Sequence, residues 1–406
     1  MLTRRILLAS AATVPALATT GPAMAKRAVR VASRPGVAHQ DAAESGTPAK
    51  TPIGPVDTAA LFAVVTDYTT DAVLLDKDAD AAMVPSSMTK LMTAYVVYGF
   101  LKAGRLTLTQ ELPVSERAWR MGGSKMFVQV GTSVKVEDLI RGMIVQSGND
   151  ACIVLAEGIA GSVEQFVDLM NAKSKELGLT QSNFANPTGW PDPNHHMSAR
   201  DIATVARRLI RDFPDYYRYD DEKTFKYSNI EQENRNSLVQ KGVADGLKTG
   251  HTQAGGFGLV ASSLRGGRRV IVVVNGLGSM HQRGEEGERL LDWAFREFEN
   301  VTLFVAGNAV ERAPVWLGSP STVALVGGRD LVATMPRNWQ KSAKIAIEYD
   351  IPLQAPVARG ATVGRLVVSG EGVPDMAAPL LAGQDVARLG LPGRAAAVLA
   401  HMFTGA

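Results

Sequence analysis

Over residues 60–298 the apolar positions form short β-branched runs, then recur every three to four residues, then return to short runs. Leu61-Phe62-Ala63-Val64-Val65 reads as a buried strand, Asp67-Tyr68-Thr69-Thr70 as a turn, and Val73-Leu74-Leu75 as the returning strand of a hairpin. Pro85-Ser86-Ser87 opens a helix through Lys102 that closes at Gly104, because hydroxyls cap free N–H groups and glycine suits the C-terminal turn. Helical spacing continues over 136–146, 150–159, 163–177 with Gly178 as its stop, and 199–211. Strands are expected again over 255–265 and 268–275, joined by the two-residue turn Gly266-Gly267. A helix over 285–298 gathers Leu290, Leu291, Trp293, Ala294 and Phe298 on one broad face. Strands, then helices, then strands predict one mixed sheet covered by helices, an α+β domain over 57–299.

The rhythm changes after Glu299 to short β-rich runs, such as 323–326, 344–348 and 364–368, broken by Gly and Pro. They predict a small all-β sandwich over 300–390. The tail 391–406 is an amphipathic helix, with Leu391, Ala395, Val398, Leu399, Met402 and Phe403 on one face. At the other end, Arg4 and Arg5 precede an apolar stretch over 6–18 and the small-x-small triplet Ala23-Met24-Ala25. That is the pattern of a secretory signal peptide over 1–25, with a twin-arginine flavour in Thr3-Arg4-Arg5-Ile6-Leu7-Leu8. Residues 26–56 are rich in Ala, Pro, Thr and Ser without periodicity and read as a flexible linker.

Composition narrows the function classes. In 406 residues, 43 basic side chains against 40 acidic ones leave a net charge of +3 with no basic block, so nucleic acid is not expected as a partner. The single cysteine, Cys152, sits in an apolar run and reads as a small core residue. His195, His196 and His281 lack a second ligand set with metal-site spacing and are taken as polar loop residues, so neither metal nor cofactor is expected.

The chemistry starts at Ser87-Met88-Thr89-Lys90, where residues three apart at a helix start bring an amine to a hydroxyl. A buried lysine there loses preference for its charged form and can accept the serine proton. Alone, the pattern equally fits a cap followed by a surface lysine. Two further patterns change the balance: Ser147-Gly148-Asn149 between two helices, and Lys248-Thr249-Gly250 at the start of a strand. The three occur in the order that active-serine penicillin-binding enzymes need.

With these motifs the sequence resembles the low-molecular-mass penicillin-binding proteins of the D-alanyl-D-alanine carboxypeptidase family. The likeness extends over Pro85 to Thr93, Asn183-Phe184-Ala185-Asn186-Pro187-Thr188-Gly189, Ser198-Ala199-Arg200-Asp201, Asp245 to Thr252, and Leu290 to Phe295. It implies a β-lactamase/transpeptidase-like catalytic domain followed by a β domain. It makes Ser87 the acylated nucleophile, Lys90 its proton acceptor and Ser147 a proton relay to the leaving D-alanine. Asn149 would bind the substrate amide, and Lys248, Thr249 and Gly250 would line the subsite of the terminal carboxylate. The oxyanion hole would be the backbone N–H of Ser87 with that of Thr252 or its neighbour His251. Arg200 and Arg283 match positions near the carboxylate subsite, although a place on a helix surface fits either residue as well. The implied partners are a peptidoglycan pentapeptide stem ending in D-Ala-D-Ala, β-lactams as covalent inhibitors, and a membrane surface held weakly by the terminal helix. The implied location is periplasmic, at the outer face of the cytoplasmic membrane.

Two positions depart from the family pattern: Gly287 stands where a serine is usual, and Phe257-Gly258 replaces Tyr-Asn. A class A-like β-lactamase is the nearest rival. It carries Asp between the Ser and Asn of the second motif, where this chain has Gly148, and no deacylating Glu-x-x-Leu-Asn lies between Ser147 and Lys248. A D,D-endopeptidase uses the same acyl transfer, and a non-catalytic cell-wall binder would keep only the cleft.

Overall fold

The computed structural model describes residues 2–8, 47–371, 373 and 375–404. The expected cleavage site after Ala25 and most of the linker lie outside the described residues. Two compact units emerge: one of Ser45–Val301 with Val332–Arg337, the other of Thr302–Leu331 and Asn338–Ala406 with the N-terminal segment.

The first unit is built on a five-stranded antiparallel sheet in the order Val73–Lys77, Phe62–Asp67, Arg268–Leu277, Gly256–Arg265, Gly246–Thr252. Both faces are covered, which is why Val270-Ile271-Val272-Val273-Val274 is an unbroken apolar run. Ile271, Val273, Val260 and Val64 pack into a core shared with the central helices. Val270, Val272, Val274 and Leu259 face the helix Met280–Glu297 through Leu290, Leu291 and Trp293. The turn Gly266-Gly267 has φ of 56° and 81°, the doubly left-handed geometry that a two-residue hairpin needs.

The helices on the other face are Lys90–Lys102, Val136–Ile144, Asn149–Ala160, Val163–Glu176 and Ala199–Asp212. Each lies within a turn or so of its expected range. Two starts differ. Ser86–Thr89 is a 3-10 turn, the α-helix begins at Lys90, and neither start has a side-chain cap. The Ser86 hydroxyl instead meets Thr252 Oγ1 at 2.9 Å, which ties the serine turn to the neighbouring strand. The last helix begins at Met280 rather than 285, because Ser279 caps it through the Gln282 N–H at 3.1 Å. That shift draws Arg283 into the first turn.

The second unit carries a seven-stranded sheet in the order Leu2–Leu8, Lys344–Ile351, Thr362–Ser369, Met376–Ala382, Thr322–Gly327, Ala309–Trp316, Leu353–Gln354. Its strands alternate: Val323 and Leu325, Ile347 and Tyr349, and Leu366 and Val368 are buried, while the residues between them are half-exposed or exposed. This is the period of a sheet with one covered face, unlike the doubly covered catalytic sheet. The terminal helix Leu391–Thr404 belongs to the same unit.

Candidate active site

A 3-10 turn repeats every three residues, so Ser87 and Lys90 stand on the same side of the chain. Lys90 Nζ lies 2.9 Å from Ser87 Oγ, 2.7 Å from Asn149 Oδ1 and 2.6 Å from the Thr188 carbonyl. The amine is fully buried, and desolvation lowers it to about 8. Cys152 and Asp150 oppose that shift and Arg235 adds to it. Roughly a tenth of the amines are therefore neutral at pH 7, with Ser87 within proton-transfer reach.

The Thr188 carbonyl is delivered by a loop folded around one side chain. Asn186 Oδ1 accepts from the Thr188 N–H at 3.1 Å, the Thr188 hydroxyl at 2.9 Å, the Gly189 N–H at 2.9 Å and the Trp190 N–H at 3.0 Å. Thr93 Oγ1 donates to the Pro187 carbonyl at 2.7 Å, docking the loop on the serine helix. Gly189 has φ of 81°, and a Cβ there would stand 1.8 Å from the Ser86 carbonyl oxygen. Only glycine fits.

In the second motif, Ser147 is buried with φ of 61°, and its hydroxyl has no hydrogen-bond partner among the described residues. It is free to take up a substrate or a water. Asn149 heads its helix, and its Nδ2 donates to the Gly122 carbonyl at 2.9 Å. A Cβ on Gly148 would lie 2.9 Å from Asp150 Oδ1 and 3.0 Å from the Gly142 carbonyl, so a larger residue would displace the Asp150 carboxylate. That carboxylate gathers the N–H groups of Met126, Phe127 and Val128 at 2.9, 2.8 and 3.2 Å. Cys152 is buried, and burial pushes its thiol up to about 11, in keeping with a core residue.

The third motif is the edge strand of the sheet. A Cβ on Gly250 would lie 3.2 Å from Ser87 N, so the bare backbone there lets the strand close on the nucleophile's amide. Lys248 is buried and its Nζ finds one acceptor among the described residues, the Thr249 carbonyl at 3.2 Å. Thr249 is buried beside it. The Thr252 hydroxyl is engaged with Ser86 and with the Gly255 N–H at 3.0 Å, while the His251 ring stacks on Phe257 at 3.9 Å.

The two arginines part company. Arg283 is buried, donates to the Arg235 carbonyl at 3.3 Å and reaches the Gly250 carbonyl at 3.5 Å. Burial, and the Arg235 charge after it, lower it to about 10. Arg200 takes the helix-surface alternative: its guanidinium pairs with Asp80 at 2.7 Å and Asp76 at 2.5 Å. Arg235 was missed in the sequence. Its Nε donates to the Gln146 carbonyl at 3.0 Å, beside Ser147, and its charge acts on Lys90, Lys248 and Arg283. The available signal was Asn234-Arg235-Asn236, whose asparagines bond to backbone at Glu222 and Gly246 and fix the loop. His195 does lie in a loop, but buried, accepting from the Ala185 N–H at Nδ1 and meeting Thr89 Oγ1 through Nε2 at 2.8 Å. His281 pairs with Glu285 at 2.9 Å on the exposed first turn of its helix.

Set beside known proteins, residues 47–278 match the family described as D-alanyl-D-alanine carboxypeptidase. The chain belongs to that family. Residues 298–388 match the C-terminal domain of penicillin-binding protein 5. The D-alanyl-D-alanine carboxypeptidase DacA of Haemophilus influenzae is 39% identical over 338 residues, which are 82% of this chain and 86% of that one. The crystal structure of penicillin binding protein 5 from H. influenzae superposes with a TM-score of 0.73 at 39% identity, covering 81% of this chain and 98% of that one. Penicillin-binding protein D2 of Listeria monocytogenes, solved in an ampicillin-bound form, gives 0.54 at 26% identity over 58% of this chain and 97% of that one.

The departures from the carboxypeptidase family pattern are accommodated by packing. At Gly258 a Cβ would stand 2.4 Å from Asn275 Oδ1 and 2.6 Å from Met88 Cε, so those side chains fill the space an asparagine would need. At Gly287 a Cβ would stand 2.4 Å from Leu259 Cδ2, a core contact away from Ser87.

Proposed function

We propose that this protein is a serine-type carboxypeptidase that removes the terminal D-alanine from peptidoglycan pentapeptides through an acyl ester on Ser87. The observation that carries the reading is the 2.9 Å contact between Lys90 Nζ and Ser87 Oγ, with the amine buried and partly neutral. Neutral Lys90 takes the hydroxyl proton as Ser87 Oγ attacks the carbonyl carbon of the penultimate D-alanine. The developing oxyanion is held by the Ser87 N–H and one N–H of the strand at His251 or Thr252. When the C–N bond breaks, Ser147 gives its hydroxyl proton to the departing amine and regains one from protonated Lys90, so that free D-alanine leaves and Lys90 is neutral again. Water, deprotonated through Lys90, then cleaves the ester. To bind the substrate amide, Asn149 Nδ2 exchanges its bond to the Gly122 carbonyl for one to the peptide.

The test is release of D-alanine from diacetyl-Lys-D-Ala-D-Ala by the mature chain, with a cross-linked muropeptide in parallel. Release from the pentapeptide mimic alone supports the carboxypeptidase; cleavage of the cross-link alone makes it an endopeptidase; neither leaves a binder. Lys248 and Thr249 receive the substrate's terminal carboxylate in this scheme, with Arg283 behind them. Lys248→Gln is therefore expected to lower kcat/KM on that substrate by ~1.5–3 kcal/mol, roughly 10- to 100-fold, and to affect its C-terminal amide far less. Equal losses on both would remove the carboxylate role from Lys248.

The same reading covers β-lactams as acylating inhibitors, in line with the ampicillin-bound Listeria relative. It also covers export by residues 1–25, whose removal would take with it the edge strand Leu2–Leu8 and leave Lys344–Ile351 at that edge of the sheet, and a periplasmic location at the outer face of the cytoplasmic membrane. The helix Leu391–Thr404 supports attachment there through Leu391, Val398, Leu399 and Met402, exposed by 75%, 41%, 55% and 77%. No helix among the described residues is long and apolar enough to cross a bilayer, so the contact is one of lying on the surface. Arg394 and His401 are its basic residues, which makes apolar burial the driving term. Full-length protein is expected to co-sediment with neutral and anionic vesicles to similar extents, and protein ending at Gly390 to stay in solution. Identical partitioning of the two proteins would remove the attachment.

A further inference from the structure

Asp220 is a buried acid with no assigned purpose. It sits in the 3-10 turn Arg218–Asp221, is fully buried, and neither carboxyl oxygen has a hydrogen-bond partner among the described residues. A Cβ built on Gly246 would lie 3.2 Å from Asp220 Cβ. Residues 246, 248 and 250 of the edge strand pair with 262, 260 and 258, and the strand meets the Ser87 amide at Gly250. Asp220 thus stands against the strand two residues before Lys248, and the Lys248 charge acts on it.

Lys248 is otherwise met by positive charge. Lys90 faces it from the serine helix, Arg235 from the loop before the strand, and Arg283 from the helix Met280–Glu297. The helix Asn149–Ala160 contributes Cys152, whose thiol is pushed up by burial, and Asp150, whose carboxylate is taken by three N–H groups. Asp245 is committed to Arg269 at 2.7 Å and to the Tyr217 hydroxyl at 2.8 Å. Burial pushes the Lys248 amine well down and the Asp220 carboxyl well up. Separately each group sheds its charge; the Lys248 charge favours the ionised Asp220 carboxyl, and an ionised carboxyl there would in turn favour the ammonium.

We propose that Asp220 is a positioning residue that keeps Lys248 cationic and available for the substrate carboxylate. The balance is of one proton, held on Lys248 Nζ rather than on the Asp220 carboxyl, which leaves a carboxylate and an ammonium with no other reactant. This rests on Lys248 being the carboxylate-binding cation.

The experiment follows D-alanine release from diacetyl-Lys-D-Ala-D-Ala between pH 6 and 10 for wild type, Asp220→Asn and Asp220→Glu. Wild-type KM is expected to climb at alkaline pH, where Lys248 loses its proton. In Asp220→Asn the climb starts about one pH unit lower and KM at pH 8 rises about tenfold, with kcat changed far less and Asp220→Glu restoring the profile. Hydrolysis of the C-terminal amide should not change. An unshifted KM profile in folded Asp220→Asn overturns the proposal. Carbon-13 NMR of labelled aspartate in the wild type decides it independently of folding or turnover: an ionised Asp220 carboxyl at pH 7 supports it and a protonated one overturns it. Failure of the wild type to release D-alanine would instead count against the carboxypeptidase reading.

Discussion

Lys90→Ala is expected to slow acylation of Ser87 by about 10³-fold or more while the protein stays folded. Among the described residues the amine is the one basic group within 2.9 Å of the Ser87 hydroxyl, and no histidine stands there to replace it, since His195 is bound to Thr89 and Ala185. Its removal opens a small polar space lined by Asn149 Oδ1 and the Thr188 carbonyl, which water can satisfy. The loop carrying Thr188 keeps its four bonds to Asn186 and its link to Thr93, so the site's frame survives. In the wild type the acylation rate should follow the neutral fraction of Lys90. With the amine lowered to about 8, the rate rises with pH through that value and levels off above it. Lys90→Ala should lose that limb together with the rate. Stopped-flow acylation by benzylpenicillin, with circular dichroism as the folding check, measures both; acylation of the variant at the wild-type rate would show that Lys90 is not the base.

Benzylpenicillin should leave one covalent adduct on Ser87 that outlasts the peptide acyl-enzyme many times over. The lactam offers an amide beside a carboxylate, the two groups that the proposed reaction assigns to Ser87 and Lys248, so the first half of the reaction is expected to proceed as with peptide. The second half differs. Peptide cleavage releases D-alanine and leaves room for water near Ser147, whereas the opened lactam stays tethered and covers that approach. A class A β-lactamase overcomes this with a dedicated glutamate that activates water. Here no Glu-x-x-Leu-Asn lies between Ser147 and Lys248, and the second motif also lacks the class A aspartate. Gly148 replaces the aspartate, and the neighbouring Asp150 carboxylate is engaged with the N–H groups of 126–128. Intact-mass spectrometry should find the adduct in the wild type and none in Ser87→Ala. Rapid turnover without an accumulated adduct would mean a β-lactamase, and neither adduct nor turnover a binder.

Much of this site was legible in the sequence because its chemistry is local. Ser87 and Lys90 are three residues apart on one turn, Ser147, Gly148 and Asn149 form a single helix start, and Lys248 to Gly250 form a single strand edge. Short-range geometry therefore determines what each motif can do, and apolar periodicity determines most helices and strands, since burial enforces the period. The order of motifs further restricted the reaction class.

Tertiary structure decided whatever depends on partners far along the chain. Arg200 and Arg283 look alike in sequence, each near a helix start. Asp76 and Asp80, more than a hundred residues earlier, hold the first, while the Gly250 and Arg235 carbonyls receive the second. The role of Asn186 became visible only when its oxygen was seen to gather four donors and so turn the Thr188 carbonyl onto Lys90. The cations around Lys248 come from three separate segments, and no spacing rule links them. A motif records which groups are adjacent along the backbone, but the charge and hydration of a buried amine depend on everything packed around it, and folding alone brings those groups together.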